Sequence, residues 1–236
     1  MPPILHYCLP PTVRQLPLTA LALSGDPLAA GRTTHLHDAA QGYAVGSSES
    51  RGDDLLIEDF PWVELGIIEA GELTLEGEGF NLSLKAGDCF VIPRGVALRW
   101  QHKGDLRRLF MVFPGLPASA EMPGRVLRID LGLPLQPCNP PAADVLLTAT
   151  PRAWSQTLFT SANLRIGLWE CEAYARKTIE PSYCELMHII EGAVTLTPEH
   201  GAPCSVHAGE TVVVPAGASN AWTSLEKVRK VFCILA

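Results

Sequence analysis

Two glutamates, Glu64 and Glu185, are the side chains of this 236-residue chain whose surroundings best suit them to chemistry. Six residues separate each of them from a glycine, Gly71 or Gly192, and an alternating apolar run follows each glycine. A carboxylate on such a strand can bind a metal ion or serve as a general acid or base. It can equally be a buried carboxylate bonded to backbone amides or to an arginine, a purely structural role.

Side-chain alternation sorts the neighbours of Glu185. If Glu185 points into the interior, Tyr183 and Met187 do so too, whereas Cys184 and His188 point the other way. Aromatic and apolar walls with a few polar groups are typical of small-molecule pockets. The candidate ligand-binding residues are Tyr183, Glu185, Met187, Asn220, Trp222, Glu180, Glu64 and Trp100. Glu185 is also the candidate catalytic acid or base, and the alternative for the two tryptophans is that they fill the core.

The elements that must position these side chains come from an internal repeat. Residues 64–75, ELGIIEAGELTL, match residues 185–196, ELMHIIEGAVTL. Residues 86–95, AGDCFVIPRG, match residues 208–217, AGETVVVPAG, and both contain Gly, five residues, Pro, one residue and Gly. Repeats of this length indicate that one structural unit occurs twice.

The repeat continues beyond these segments. A tryptophan follows in each half, and then a pair of cations precedes a closing apolar strand. The first half has Trp100, Arg107 and Arg108, and the second half has Trp222, Arg229 and Lys230. The offset between the halves is 121 residues at the glutamates and 122 at the later glycines, so a single insertion separates the two copies.

Short Val/Ile runs bounded by glycine and proline predict an all-β chain of sandwiches or closed barrels. No long segment has apolar residues at helical spacing. We expect an N-terminal arm over residues 1–24, a first barrel over 25–115, a proline-rich crossover over 116–149 and a second barrel over 150–236. The arm is expected to pack on a barrel edge or on a second subunit.

The composition limits the classes of partner that the protein is expected to bind. A net charge of -7 and a pI of about 5.5, without a large basic cluster, argue against nucleic acid. No apolar run reaches the length of a membrane span. Seven cysteines, an odd count without a C-x-x-C pair, favour reduced thiols and a cytoplasmic location.

These motifs resemble the cupin superfamily, and most of all the subfamily of ureidoglycine aminohydrolases and ethanolamine-utilisation cupins. The resemblance covers roughly two thirds of the chain and is stronger in the second half, across residues 183–222. It implies tandem double-stranded β-helix (jelly-roll) barrels, a bicupin.

The resemblance also bears on metal binding. Metal-binding cupins hold Mn, Fe or a similar ion with two histidines, the motif glutamate and a last histidine. Here the histidine positions hold Ile57, Asp59 and Leu98 in the first half and Thr178, Glu180 and Asn220 in the second. No cofactor is therefore expected, although Glu180, Glu185 and Asn220 would form an oxygen-rich set suited to Mn or Mg.

Three functions follow as hypotheses. The first is a bicupin that binds a small polar or anionic metabolite in the second barrel without the usual metal. The second, implied by the resemblance, is a metal-dependent aminohydrolase-like or isomerase-like enzyme of nitrogen or carboxylate metabolism. The third is a structural protein with both barrels filled by side chains. Free strand edges and the N-terminal arm favour a homodimer, and the alternative is a monomer, since the tandem repeat itself mimics a dimer.

Overall fold

The computed structural model describes residues 2–7, 23–117 and 122–236, and nearly all of their regular structure is β-strand. The strands are β1 Leu5–Tyr7, β2 Arg32–Asp38, β3 Tyr43–Ile57, β4 Val63–Ala70, β5 Glu72–Gly77, β6 Phe80–Lys85, β7 Cys89–Ile92, β8 Leu98–Phe113, β9 Leu127–Ile129, β10 Gln136–Cys138, β11 Ala153–Ser161, β12 Leu164–Cys171, β13 Ala175–Ile179, β14 Cys184–Glu191, β15 Ala193–Pro198, β16 Cys204–His207, β17 Thr211–Val214, β18 Asn220–Thr223 and β19 Val228–Leu235. A single-turn 3-10 helix spans Ala143–Val145. The predicted all-β class is confirmed.

The chain divides into two compact units. Of the described residues, 23–117 and 122–130 form one unit, here called the first barrel, and 2–7 together with 131–236 form the other, the second barrel. The proline-rich crossover is divided between them, since β9 pairs with β7 in the first barrel and β10 pairs with β11 in the second. Residues 8–22, most of the predicted N-terminal arm, lie outside the described residues.

The first barrel is built on a sheet with the strand order β2-β3-β8-β4-β7-β9, and β5 joins it by pairing with β8 and β6. Strands β3 and β8 are long and pair with each other over most of their length, with a register shift between Arg51 and Asp53. Aromatic side chains, including Phe60, Phe90 and Phe110, fill its core.

The second barrel has two sheets. The larger has the order β1-β17-β14-β19-β12-β11-β10, and the smaller has the order β13-β18-β15-β16. Strand β1, from the start of the chain, pairs antiparallel with β17, so Leu5 lies opposite Val213. His6 adds a contact of 3.0 Å between its Nε2 and Oε2 of Glu210.

The repeat is visible in the backbone as well. Gly87 and Gly209, which open the second motif of each half, both have positive φ angles, 89° and 87°. Gly46 and Gly167 are also equivalent. A Cβ atom on either would lie about 2 Å from a backbone oxygen of the neighbouring strand and under 3 Å from a phenylalanine ring. The same two close approaches therefore recur in each barrel.

Within the described ranges, no helix has the length and hydrophobicity that crossing a bilayer requires.

No cysteine in those ranges forms a disulfide, and Cys8 lies outside them. Burial raises the pKa of the Cys171 thiol to about 12 and that of the Cys233 thiol well above its usual value of 9.0. Both thiols therefore remain protonated at neutral pH.

Candidate functional site

The second barrel contains a cavity of about 630 Å³. Both sheets line it, and the segment 138–145 from the crossover contributes to its wall. The cavity brings together five of the predicted ligand-binding side chains: Tyr183, Glu185, Met187, Asn220 and Trp222. This volume falls within the range of small-molecule sites. The hypothesis that both barrels are filled by side chains is therefore wrong for the second barrel.

The other predicted residues lie elsewhere. Glu180 is exposed and is not among the residues that line the cavity. Glu64 and Trp100 belong to the first barrel, where both are buried. His188 and Cys184, predicted to point away from Glu185, are buried in the sheet, and His188 Nδ1 lies 2.9 Å from Thr211 Oγ1.

Lys230 is the direct partner of Glu185. Its Nζ donates a hydrogen bond of 2.8 Å to Glu185 Oε1 and lies 2.9 Å from the sulfur of Met187. Both partners line the cavity, and both side chains are largely buried. Strand β14 supplies Glu185 and Met187, and its neighbour β19 supplies Lys230. Such a charge-assisted hydrogen bond holds the carboxylate and the ammonium group in fixed positions.

Two aromatic rings lie beside this ion pair, and a third packs on them. Lys230 Nζ lies 4.8 Å from the centre of the Trp169 ring and 5.2 Å from that of Trp222. The Trp222 ring stacks on Tyr174 with the ring centres 5.6 Å apart, and its Nε1 donates to Ser224 Oγ at 3.3 Å. The rings exclude water from one side of the ammonium group and attract it by cation–π interaction.

Arg176 is the next cation in the cavity. Its Nη1 donates to the backbone oxygen of Asn220 at 2.6 Å, and its Nη2 donates to Asn220 Oδ1 at 2.9 Å. Burial lowers the pKa of Arg176 from its usual value, yet an arginine stays charged at neutral pH. Because both Asn220 acceptors are neutral, they orient the guanidinium group without cancelling its charge.

Two tyrosines provide neutral hydroxyl groups. Burial raises the pKa of Tyr174. Burial also raises the pKa of Tyr183, and the charge of Glu185 raises it further, against the opposing charges of Arg176 and Arg165. Both hydroxyls therefore stay protonated at neutral pH and can donate hydrogen bonds to a ligand.

The donor set does not fit a divalent metal ion. The carboxylate of Glu185 is already bonded to an ammonium group, and the amide oxygen of Asn220 is bonded to a guanidinium group. Glu180, the third oxygen ligand considered, lies outside the cavity lining. Among the described residues, no group of three or more His, Cys, Asp or Glu side chains is arranged to hold a metal ion.

The first barrel contains the equivalent ion pair, but there the pair is buried in the core. Glu64 is 0 % exposed and accepts hydrogen bonds from Arg108 and, at 2.6 Å, from Arg32. The Arg108 guanidinium lies 4.7 Å from the centre of the Trp100 ring. Burial alone would raise the pKa of Glu64, but the charges of Arg108 and Arg32 outweigh it and lower that pKa. Glu64 has the structural role, and a ligand cannot reach it.

The cavity residues outside the predicted set include Lys230, Arg176, Arg165, Tyr174, Trp169 and the segment 138–145. Of these residues, Lys230 can be inferred from the internal repeat of the sequence. Lys230 occupies the repeat position of Arg108, so an ion pair with the motif glutamate in one half implies a similar pair in the other. The remaining residues lie outside the repeated motifs, and no pattern in the sequence identifies them.

Comparison with known proteins agrees with this architecture. Residues 160–232 match the family model described as EutQ-like cupin domain. That range includes Glu185, Lys230 and Arg176. No curated protein matches the chain by sequence.

Solved structures extend the match to both barrels. The chain is similar to a protein of unknown function of the DUF861 family from Pseudomonas syringae pv. tomato, with 29 % identity, a TM-score of 0.90 and coverage of 99 % of this chain and 100 % of that one. A cupin 2 conserved barrel domain protein from Leptotrichia buccalis has a TM-score of 0.62 at 12 % identity and covers 87 % of this chain and 88 % of its own.

A more distant similarity is to a mutant of the salicylate 1,2-dioxygenase from Pseudoaminobacter salicylatoxidans. The TM-score is 0.56 at 11 % identity, with coverage of 83 % of this chain and 72 % of that one. At this identity the likeness concerns the fold alone. The tandem jelly-roll cupin fold is thus confirmed, and the ureidoglycine aminohydrolase subfamily stays a prediction.

Proposed function

We propose that the second barrel binds a small organic anion, a carboxylate, without the metal ion of the metal-binding cupins. One observation carries the proposal: three cations, Arg165, Arg176 and Lys230, line the cavity against a single carboxylate, Glu185. Glu185 is bonded to Lys230, and neither the half-buried Arg176 nor the exposed Arg165 has a carboxylate bonded to it, so the cavity carries a net positive charge.

Neither arginine is bonded to a carboxylate. No ion pair among the described residues involves Arg165 or Arg176. Arg176 is held by neutral acceptors on Asn220, so its orientation is set before a ligand arrives. A guanidinium group presents paired donors that match the two oxygens of a carboxylate. Preorganisation of this kind lowers the entropic cost of binding.

Tyr183 supports the same ligand class. Its hydroxyl stays protonated because burial and the charge of Glu185 raise its pKa. A neutral donor beside two arginines completes a site for carboxylate oxygens. The apolar wall formed by Trp169, Met187 and Phe232 suits the carbon skeleton of a small metabolite.

The ammonium group of Lys230 supplies the positive charge next to Glu185 that a metal ion supplies in metal-binding cupins. A second cation at that carboxylate would meet both electrostatic repulsion from Lys230 and a lack of vacant oxygen ligands. This favours the metal-free function over a metal-dependent aminohydrolase or isomerase. Elemental analysis separates the two, because stoichiometric Mn, Fe, Ni or Zn in the purified protein would overturn the metal-free function.

Calorimetric titration tests the ligand class. Benzoate and lactate should bind, whereas benzamide and lactamide, which have the same shape without the charge, should bind much more weakly. Adding EDTA should leave the carboxylate affinities unchanged. Equal affinity for the acids and their amides would contradict an anion site. Affinity that disappears with EDTA and returns with Mn would contradict the metal-free function.

A further inference from the structure

We propose that Lys230, with Glu185 as its proton acceptor, forms an imine with the carbonyl group of a small oxo acid. The proposal rests on the proposed function, because the carboxylate of the oxo acid is the anion that the cavity binds. Lys230 is an amine at the wall of a cavity, with a carboxylate 2.8 Å from its Nζ. That distance permits direct proton transfer.

The internal repeat supports a chemical role for the lysine. In the closed first barrel the equivalent cation is Arg108, which is 1 % exposed and pairs with Glu64. An arginine serves the ion pair well, since it does not lose its proton. The barrel with an accessible cavity instead has the cation that can become a neutral amine. An ion pair with only a structural role would not require a lysine in one barrel where the other has an arginine.

Lys230 is an amine with one carboxylate beside it. Its only charged acceptor among the described residues is Glu185, and its other neighbours are the Met187 sulfur and the faces of Trp169 and Trp222. Once the proton has passed to Glu185, the amine lies in apolar surroundings, as in known imine-forming lysines.

The step balances without any further reactant. Glu185 takes one proton from the Lys230 ammonium, and the Nζ electron pair then attacks the carbonyl carbon, so that a C–N bond forms and the C=O π pair moves to oxygen. Glu185 returns the proton to that oxygen, takes a second proton from nitrogen, and delivers it to the hydroxyl group. The C–O bond breaks, water leaves, and a protonated imine remains beside an ionised Glu185.

The charges of the cavity select the carbonyl compound. Glu185, Arg176 and Arg165 all act electrostatically on Tyr183, so the arginines and the ion pair face one part of the cavity. A ligand with its carboxylate on the arginines would present its carbon skeleton towards Lys230. Oxo acids combine the required anion with the required carbonyl group.

Reductive trapping tests the proposal. The full-length protein is incubated with pyruvate or levulinate and sodium cyanoborohydride, and then mapped by peptide mass spectrometry. The expected product is Lys230 heavier by one molecule of the oxo acid less one oxygen atom. Lactate, which binds without a carbonyl group, should leave the mass unchanged. Modification of Lys85, Lys103, Lys177 and Lys227 to the same extent as Lys230 would overturn the proposal.

Two variants complete the design. Lys230→Arg keeps the cation opposite Glu185, in the arrangement of the first barrel, and Lys230→Met removes it. Both should lose the adduct, whereas Lys103→Arg, at an exposed lysine of the first barrel, should keep it. If the oxo acids bind to the wild type in calorimetry and no adduct forms, the imine is overturned and the anion site stands. If neither the oxo acids nor lactate bind, both are overturned.

Discussion

Lys230 Nζ lies 2.8 Å from Glu185 Oε1, and Arg108 makes the equivalent contact to Glu64 in the first barrel. The same pair thus occurs twice, with Trp222 or Trp100 beside the cation. In the first barrel Arg32 adds a second guanidinium to the carboxylate, and all three charged groups are buried. In the second barrel the pair borders a cavity. One motif therefore serves packing in one half and faces a cavity in the other.

Replacing Arg176 should weaken carboxylate binding. The variant Arg176→Gln removes a charged donor, which is worth about 1.5–3 kcal/mol or about 10- to 100-fold in affinity. Calorimetric titration with benzoate measures it. Arg152→Gln is the matched control, because Arg152 pairs with Glu172 at the surface and does not line the cavity. Equal losses in both variants would show that the effect is unrelated to the cavity.

The buried ion pair of the first barrel should be important for stability. Glu64→Gln leaves Arg108 buried without an opposing charge, while Arg32 keeps its pair with Asp26, and breaking such a buried pair costs about 3–5 kcal/mol. Urea unfolding followed by tryptophan fluorescence measures the change. Asp54→Asn, which breaks the exposed pair with Arg99, should change the free energy of unfolding little. A Glu64→Gln protein as stable as the wild type would contradict this account of the first barrel.

His188 should make the protein less stable in mild acid. Burial lowers its pKa from 6.5 to about 4, so the folded state resists a proton that the unfolded state accepts. Its contribution is fully present above pH 6.5 and is lost as the pH falls towards 4, by about 3 kcal/mol at most. His188→Gln should flatten the stability curve in that window, whereas His200→Gln, at an exposed position, should not. Unchanged slopes in His188→Gln would refute the prediction.

The fold could be predicted because its signals are local. Gly87 and Gly209 have backbone angles that other residues adopt only with strain, so their spacing marks the same turn in both halves. The alternation around Glu185 likewise fixes which neighbours share its face, since side chains alternate along any strand. This alternation identifies Tyr183 and Met187 as neighbours of Glu185 from the sequence.

The remaining site residues depend on contacts between distant parts of the chain. Arg176 reaches Asn220 across 44 residues, and Lys230 reaches Glu185 across 45. Strand pairing sets these contacts, and no short pattern encodes them. The position of Glu180 could not be predicted for the same reason. The sequence places it beside Glu185, but in the structure it is exposed on the loop after β13. The contribution of segment 138–145 to the cavity is of the same kind, because a proline-rich crossover has no alternation to orient its side chains.

The most direct test of the metal-free anion site is the electron density around Glu185 in crystals soaked with benzoate and Mn²⁺, with data collected at the manganese absorption edge. The account predicts a benzoate carboxylate on Arg176, Lys230 still bonded to Glu185, and no anomalous peak in the second barrel. An anomalous peak within bonding distance of Glu185, with the Lys230 side chain displaced, would contradict it.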